Sequence, residues 1–303
     1  MASEQPQKPA AIEFRHVSLW FDEKQVLDDI SFELAQGEMI FLTGASGSGK
    51  SVLTHLAMGL LKPDEGQIFI QGESIEALDE PELVELRGRW MGIVFQEDSL
   101  FTGLTAFDNA AYRLDEKGVA EEETEREVLE VLQFVGLEQD AEKLPEELSG
   151  GMRRRLEIAR ALIGWPSIML FDEPTSSLDP ISAEKVLDLI IRARDIQHIS
   201  SIYVTKQLNE IPYLASHRAV ARPDGTVVIE SVSSGTEAAP RTRVVVLDAG
   251  RIVFTGSVTE FAASTLPVVT RLTQADNGTI FSDFYTPDPW DKERRPKETI
   301  LGR

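Results

Sequence analysis

Cysteine is absent from all 303 residues. This excludes disulfides and cysteine-ligated metal and fits a cytosolic chain. Positive charge is scarce: 30 Lys and Arg stand against 51 Asp and Glu, a formal net charge of −21. Nucleic-acid phosphates and anionic lipid would both be repelled, so neither nucleic acid nor a direct lipid anchor is expected. No apolar run reaches the ~18 residues of a membrane-spanning helix. Residues 161–171 come nearest and are broken by Gly164 and Pro166. Residues 1–11 are polar, lack the apolar segment of a signal peptide, and are expected to form a flexible N-terminus. Much of the acid lies between Asp115 and Glu147, where Glu121, Glu122 and Glu123 read as a solvated helical face. The 42% hydrophobic content is ample for a core.

One stretch organises what remains. Gly44, Ala45, Ser46, Gly47, Ser48, Gly49, Lys50 and Ser51 are spaced G-x-x-x-x-G-K-S, the phosphate-binding loop. Apolar Met39–Leu42 before it reads as a buried strand, and Leu53, Leu56, Ala57 and Leu60 after it recur at helical spacing. The glycines let backbone N–H groups turn inward around phosphate oxygens, and the new helix adds its free N–H groups. Lys50 is expected on the β- and γ-phosphates, and the Ser51 hydroxyl on Mg²⁺.

Around this loop the chain alternates strands and helices. Ala11 to Phe32 reads as two strands around Asp22-Glu23-Lys24, with Phe21 at the tip as either a base-stacking or a core aromatic. Gly66 to Gly72 reads as a strand, Leu78 to Gly88 as a helix, and Met91 to Phe95 as a strand running into Gln96. An amide there can meet Mg²⁺ or an attacking water. Leu100, Phe101 and Leu104 look exposed and suggest a protein contact. Val128, Leu129, Leu132 and Val135 mark an amphipathic helix stopped by Gly136. Ser149 is a good N-cap for a helix whose buried stripe is Met152, Leu156, Ala159 and Leu162. With Gly150 and Gly151 it makes a second helix start open to an anion. Arg153, Arg154 and Arg155 read as a helix face paired with carboxylates. Apolar Ser167–Phe171 ends in Asp172 and Glu173, the first placed to hold a water on Mg²⁺, the second to act as general base. Asp179-Pro180 starts a helix running to about Asp195. Strands are expected at 201–204, 226–232 and 243–247, the last opening a hairpin around Asp248-Ala249-Gly250. The fold expected is α/β, a mostly parallel sheet with crossover helices and the phosphate loop at its C-terminal edge.

Five pieces now stand in one order: the glycine loop with Lys50, Gln96, LSGG at Leu148 to Gly151, Asp172-Glu173, and Ser177-Leu178-Asp179. Over roughly Ile12 to Ala262 this resembles the ATP-binding cassette (ABC) family of transporter ATPases. The LSGGM form and FQEDSLFTGLTAFDNAAY look most like the ATPases of Mla-type, Mce-associated phospholipid transporters, which implies lipid cargo. The resemblance implies a P-loop NTPase of ABC type with a parallel sheet core, an antiparallel β part and a helical subdomain at about 78–163; 263–303 would be a C-terminal extension. It also implies ATP and Mg²⁺, and a head-to-tail homodimer in which Ser149, Gly150 and Gly151 of one subunit close over ATP on the other. Gln96 would sense the γ-phosphate, Asp179 would couple the two sites, and Phe21 lies where similar proteins carry an aromatic for the base. An integral membrane permease would be the second partner, with the chain peripheral on the cytoplasmic face.

One departure stands out. Where the family usually places a γ-phosphate-contacting histidine after Ile202-Tyr203-Val204, this chain has Lys206. A slower or regulatory cassette is therefore one alternative, opposed by the intact Glu173. A soluble ABC protein of repair or translation is another, though long coiled-coil inserts or a second cassette are missing. The aromatics Phe281, Phe284, Tyr285 and Trp290 read as a tail docked on the neighbouring cassette or on its own subunit.

Overall fold

The computed structural model describes residues 9–233 and 239–275. Most of the N-terminal stretch, part of the loop after residue 233 and the tail aromatics lie outside them. In chain order the elements are β1 (Ile12–Phe21), β2 (Lys24–Leu34), β3 (Met39–Thr43), α1 (Lys50–Ala57), β4 (Glu65–Ile70), β5 (Glu73–Ser74) and α2 (Glu80–Trp90). Then come β6 (Met91–Val94), α3 (Ala106–Glu116), α4 (Glu121–Val135), α5 (Gly150–Leu162), β7 (Ile168–Asp172), α6 (Pro180–Ile196), β8 (Ser200–Val204) and α7 (Glu210–Ser216). The described chain closes with β9 (His217–Ala221), β10 (Val227–Ser231), β11 (Thr242–Asp248), β12 (Arg251–Gly256), α8 (Val258–Ala262) and α9 (Pro267–Ala275).

The main sheet has the order β12-β11-β3-β8-β7-β6 and is parallel except at β12. Its central strands are buried on both faces, so their apolar residues run without a polar break. The period of two still sorts them. Met39, Phe41, Met169, Phe171, Tyr203, Val244 and Val246 enter one core with α3 to α6. Ile40, Leu42, Ile168, Leu170, Ile202, Val204, Val245 and Leu247 enter a second core with α1, α2 and the antiparallel sheet β2-β1-β4-β5. A mixed, mostly parallel sheet thus lies between a helical layer and a layer in which α1 and α2 join the antiparallel strands; the mostly parallel sheet, the antiparallel part and the helices are as expected. The range 78–163 holds α2 to α5 but also β6, a strand of the main sheet. Beyond Ala262, α9 buries Val269 against the first core.

Several local expectations change. Leu60 is exposed, because α1 stops at Ala57 and Gly59 turns the chain away with φ 63°. On α4 the inward stripe is Thr124, Val128, Val131, Leu132 and Val135, leaving Leu129 outside. Leu100 is buried in the first core, whereas Phe101 remains 40% exposed. Thr105 and Asp108 form a capping box that starts α3. The fully buried Asn109 amide then donates to the Phe101, Leu104 and Thr105 carbonyls at 3.0 Å.

Candidate functional site

The glycine loop leaves β3 with its backbone in conformations that side chains resist. Gly44 has φ 146°, and a Cβ there would lie 2.0 Å from the Leu247 carbonyl oxygen. Gly49 has φ 106° and is crowded by Leu27, whereas Gly47, φ 76°, faces open space. Two glycines are therefore required by packing; the third leaves the outer face of the loop free for a ligand. Ala45, Ser46 and Gly47 are exposed; Gly44, Ser48, Gly49 and Lys50 are buried. Lys50 folds over its own loop, donating to the Gly44 and Ala45 carbonyls at 2.8 and 2.9 Å. Burial lowers its pKa, and the nearby Lys206 charge lowers it further; Glu173 and Asp172 oppose both.

β7 delivers two carboxylates to the same place. Asp172 is 5% exposed and shares a hydrogen bond with Ser51. Burial raises its pKa most; the Ser51 bond and the charges of His55 and Lys50 pull it back. Its Oδ1 is buried and makes no hydrogen bond, as is true of Ser48 Oγ and Thr43 Oγ1. Glu173 turns out of the strand with φ 48° while its amide donates to the Val204 carbonyl at 2.9 Å. That bond ties the end of β7 to the end of β8. Lys206 follows β8, and its Nζ lies 2.6 Å from Glu173 Oε1. The fold thus gathers Lys50, Ser51, Asp172, Glu173 and Lys206, two cations and two carboxylates around one hydroxyl.

This donor set fits a magnesium–phosphate ligand. Ser51 and the orphaned Asp172 oxygen are the hard oxygens Mg²⁺ takes, with phosphates and water completing its shell. Among the described residues no group of three His, Cys, Asp or Glu could hold a metal unaided. A cavity of about 430 Å³ lined by Gly37, Arg194, His198, Arg218 and Arg241 lies elsewhere, around the residue that leads into β3.

The other expected residues have these partners. Ser149 is exposed and accepts the Met152 amide at 3.3 Å, capping α5. Gly150 faces open space, while a Cβ on Gly151 would strike Ser182 of α6 at 2.7 Å. Asp179 caps α6, accepting the Ile181 and Ser182 amides at 3.1 and 3.0 Å. Bonds from the Ser182 hydroxyl and amide hold its pKa below the usual carboxylate range. Gln96 is exposed at the exit of β6, and its carbonyl accepts Arg154 at 3.0 Å. Phe21 is 46% exposed, so it is not a core aromatic. The arginine run is paired only in part as expected. Arg153 meets Asp98 at 3.2 Å and Arg154 meets Glu157 at 2.6 Å, but Arg155 donates to the Val135 and Gly136 carbonyls.

One group escaped the sequence reading. Glu210, 3% exposed, accepts the Tyr203 hydroxyl at 2.9 Å, the Thr205 hydroxyl at 2.7 Å and the Thr175 hydroxyl. Thr175 follows Glu173 and Thr205 precedes Lys206, so one buried carboxylate holds both arms of the cluster. A glutamate at the start of a helix has many bland explanations, and no local pattern marks this one.

Comparison with known proteins places these features in company. Residues 27–176 match the ABC transporter family. The chain is similar to the methionine import ATP-binding protein MetN of Rhodopseudomonas palustris (strain BisA53), 39% identical over 222 residues, 73% of this chain and 59% of that protein. It spans, then, well under two thirds of that relative's length. It is also similar to Protein TRIGALACTOSYLDIACYLGLYCEROL 3, chloroplastic, of Arabidopsis thaliana, 34% identical over 268 residues, 85% of this chain and 72% of that one. The dimeric, post-hydrolysis structure of the ATP-binding cassette MJ0796 bound to ADP and Pi matches with a TM-score of 0.67 at 27% identity. That likeness covers 82% of this chain and 98% of the other.

Proposed function

Because this chain belongs to the ABC transporter family of ATP-binding subunits, we propose that it hydrolyses ATP as a homodimer and thereby drives a membrane permease. The observation that carries this reading is the joining of Lys50, Ser51, Asp172, Glu173 and Lys206 into one charge-balanced cluster beneath an open glycine loop. In it Lys50 and the loop amides would bind the phosphates, with the base of ATP on Phe21. Ser51 and Asp172 would hold Mg²⁺, with Gln96 reaching it on closure. When bound, the ion would neutralise phosphate charge and orient the reacting oxygens. Glu173, nearly buried, would take the proton of the attacking water.

Two exposed helix starts support a shared site. Among the described residues, the Ser149 hydroxyl and the Asp179 carboxylate accept from amides of their own helices. The likeness to a dimeric cassette fits their closing over a second copy's nucleotide. Among the described residues no helix is long and apolar enough to cross a membrane. The permease would hold the chain at the cytoplasmic face, with Phe101, packed at a tilt against Tyr112, near the contact. The test is steady-state ATPase activity of the purified chain with Mg²⁺. Glu173→Gln should abolish turnover yet form an ATP-dependent dimer, and adding Ser149→Arg should return it to monomer. No wild-type turnover, or a dimer indifferent to Ser149→Arg, would refute the reading.

The cargo path would lie in the permease, so relatives are the guide to it. The match to a methionine import protein favours uptake of a small polar solute, and does not support the phospholipid expectation. One observation keeps a lipid as second reading: the match over 268 residues is to a protein named for trigalactosyldiacylglycerol. Reconstituting the chain with its co-purifying membrane partner, and following labelled methionine against fluorescent phospholipid, separates the two.

A further inference from the structure

The structure supplies Lys206 with a partner. Its Nζ sits 2.6 Å from Glu173 Oε1, with the carboxylate side chain 12% exposed and the lysine side chain 44% exposed. The backbones under this pair are fixed independently of it. Glu173 N donates to the Val204 carbonyl, Gln207 N donates to Thr205 Oγ1 at 2.9 Å, and Thr205 and Thr175 both bond Glu210. What can move is the lysine stem. Lys50 is engaged in the same way, by the carbonyls of its own loop. Both cations of the cluster are therefore satisfied by internal acceptors.

We infer that Lys206 is a positioning residue that clamps Glu173 while no terminal phosphate is present and is surrendered to that phosphate when a nucleoside triphosphate binds. The inference rests on the nucleotide-binding reading above. An ammonium is a compact point charge with three donors that carboxylate and phosphate oxygens both accept, and the more highly charged terminal phosphate attracts it more strongly. An imidazole, mostly neutral at pH 7, would hold the carboxylate far less firmly. In this scheme a third phosphate draws the ammonium off the carboxylate and breaks the ion pair, whereas a diphosphate leaves it intact. The pair distinguishes triphosphate from diphosphate and keeps the base pinned until there is something to hydrolyse.

The test is a double-substitution cycle read as binding, not turnover. Affinities of AMP-PNP and ADP are measured by calorimetry on the full chain, kept monomeric, for wild type, Lys206→Gln, Glu173→Gln and the double variant. Glu173→Gln should tighten AMP-PNP binding in either background by removing a negative charge. The gain should be about three- to tenfold larger when Lys206 is present, because only then does the substitution also spare the breaking of a part-buried ion pair. For ADP the two gains should be equal. In nucleotide-free thermal melts the two substitutions should be non-additive, since each removes the same pair. Equal AMP-PNP gains in the two backgrounds, or additive melts, would overturn the clamp while leaving the ATPase reading standing. A wild-type chain that bound neither nucleotide would overturn both.

Discussion

Replacing Glu210 by Ala probes the scaffold on which both arms of the site rest. The carboxylate is 3% exposed and receives hydroxyl donors from Tyr203, Thr205 and Thr175. Burial, then the Glu210 charge, push the Tyr203 phenol well above its usual pKa, so the O–H remains a donor. A hydrogen bond to a charged acceptor contributes about 1.5–3 kcal/mol. Against these bonds stands the desolvation of a buried carboxylate, several kcal/mol after relaxation. The variant also takes from fully buried Tyr203 the carboxylate its hydroxyl donates to, leaving Thr175 beside it, a loss of about 1–3 kcal/mol. The balance is a loss of about 3–5 kcal/mol, or a fall in Tm of the order of 10 °C for a chain of this size. Glu210→Gln keeps the shape and should lose roughly half as much, and Tyr203→Phe, which removes one bond to the charged acceptor, about 1.5–3 kcal/mol. Urea denaturation with unchanged m-values would measure all three. A Glu210→Ala loss below about 1 kcal/mol, or one smaller than that of Tyr203→Phe, would refute the placing of this carboxylate at the centre of the network.

Other consequences follow from single positions. Gly44→Ala should destabilise by more than about 3 kcal/mol, because its Cβ meets the Leu247 carbonyl, whereas Gly47→Ala pays only the left-handed backbone, about 1 kcal/mol; denaturant melts compare them. Asp172→Asn should stabilise the nucleotide-free chain, since burial raises the carboxyl pKa, while abolishing Mg²⁺-dependent turnover; melting and ATPase assays on one sample check both. Burial likewise holds the Asp188 carboxyl above its usual range, so the stability it contributes is full in acid and falls as pH rises through that raised value. Asp188→Asn, still able to accept the Tyr213 hydroxyl, should gain on wild type in melts at pH 7 relative to pH 4. Phe21→Ala, at an exposed site, should leave stability within about 0.5 kcal/mol but weaken ATP binding about tenfold in a fluorescent-nucleotide titration.

Many roles that depend on immediate neighbours could be read from the amino-acid order, though not the turn at Gly59 that exposes Leu60 or the Thr105 cap of α3. The strand–glycine–helix run around Lys50, the N-caps at Ser149 and Asp179, the stop at Gly136 and the hairpin at Asp248–Gly250 are set by dihedral preference and free backbone groups within one or two turns. Helix faces were less legible. A one-residue choice decides between Leu129 and Val131, and only the surface the helix meets makes that choice. Leu100 turned inward for a related reason: the buried amide of Asn109 gathers that backbone, and nothing beside it in the chain announces the bond.

By itself the sequence determined the chemistry on offer: a phosphate loop, two strand-end carboxylates, and a lysine where a histidine is usual. Tertiary structure alone decided which of these meet. The parallel pairing of β7 with β8 brings Glu173 to Lys206, and Glu210 reaches back to Thr175, across stretches of chain that no local pattern links. Charges act over a few ångströms of space regardless of separation along the chain, so the ion pair at the centre of this site came into view only with the fold.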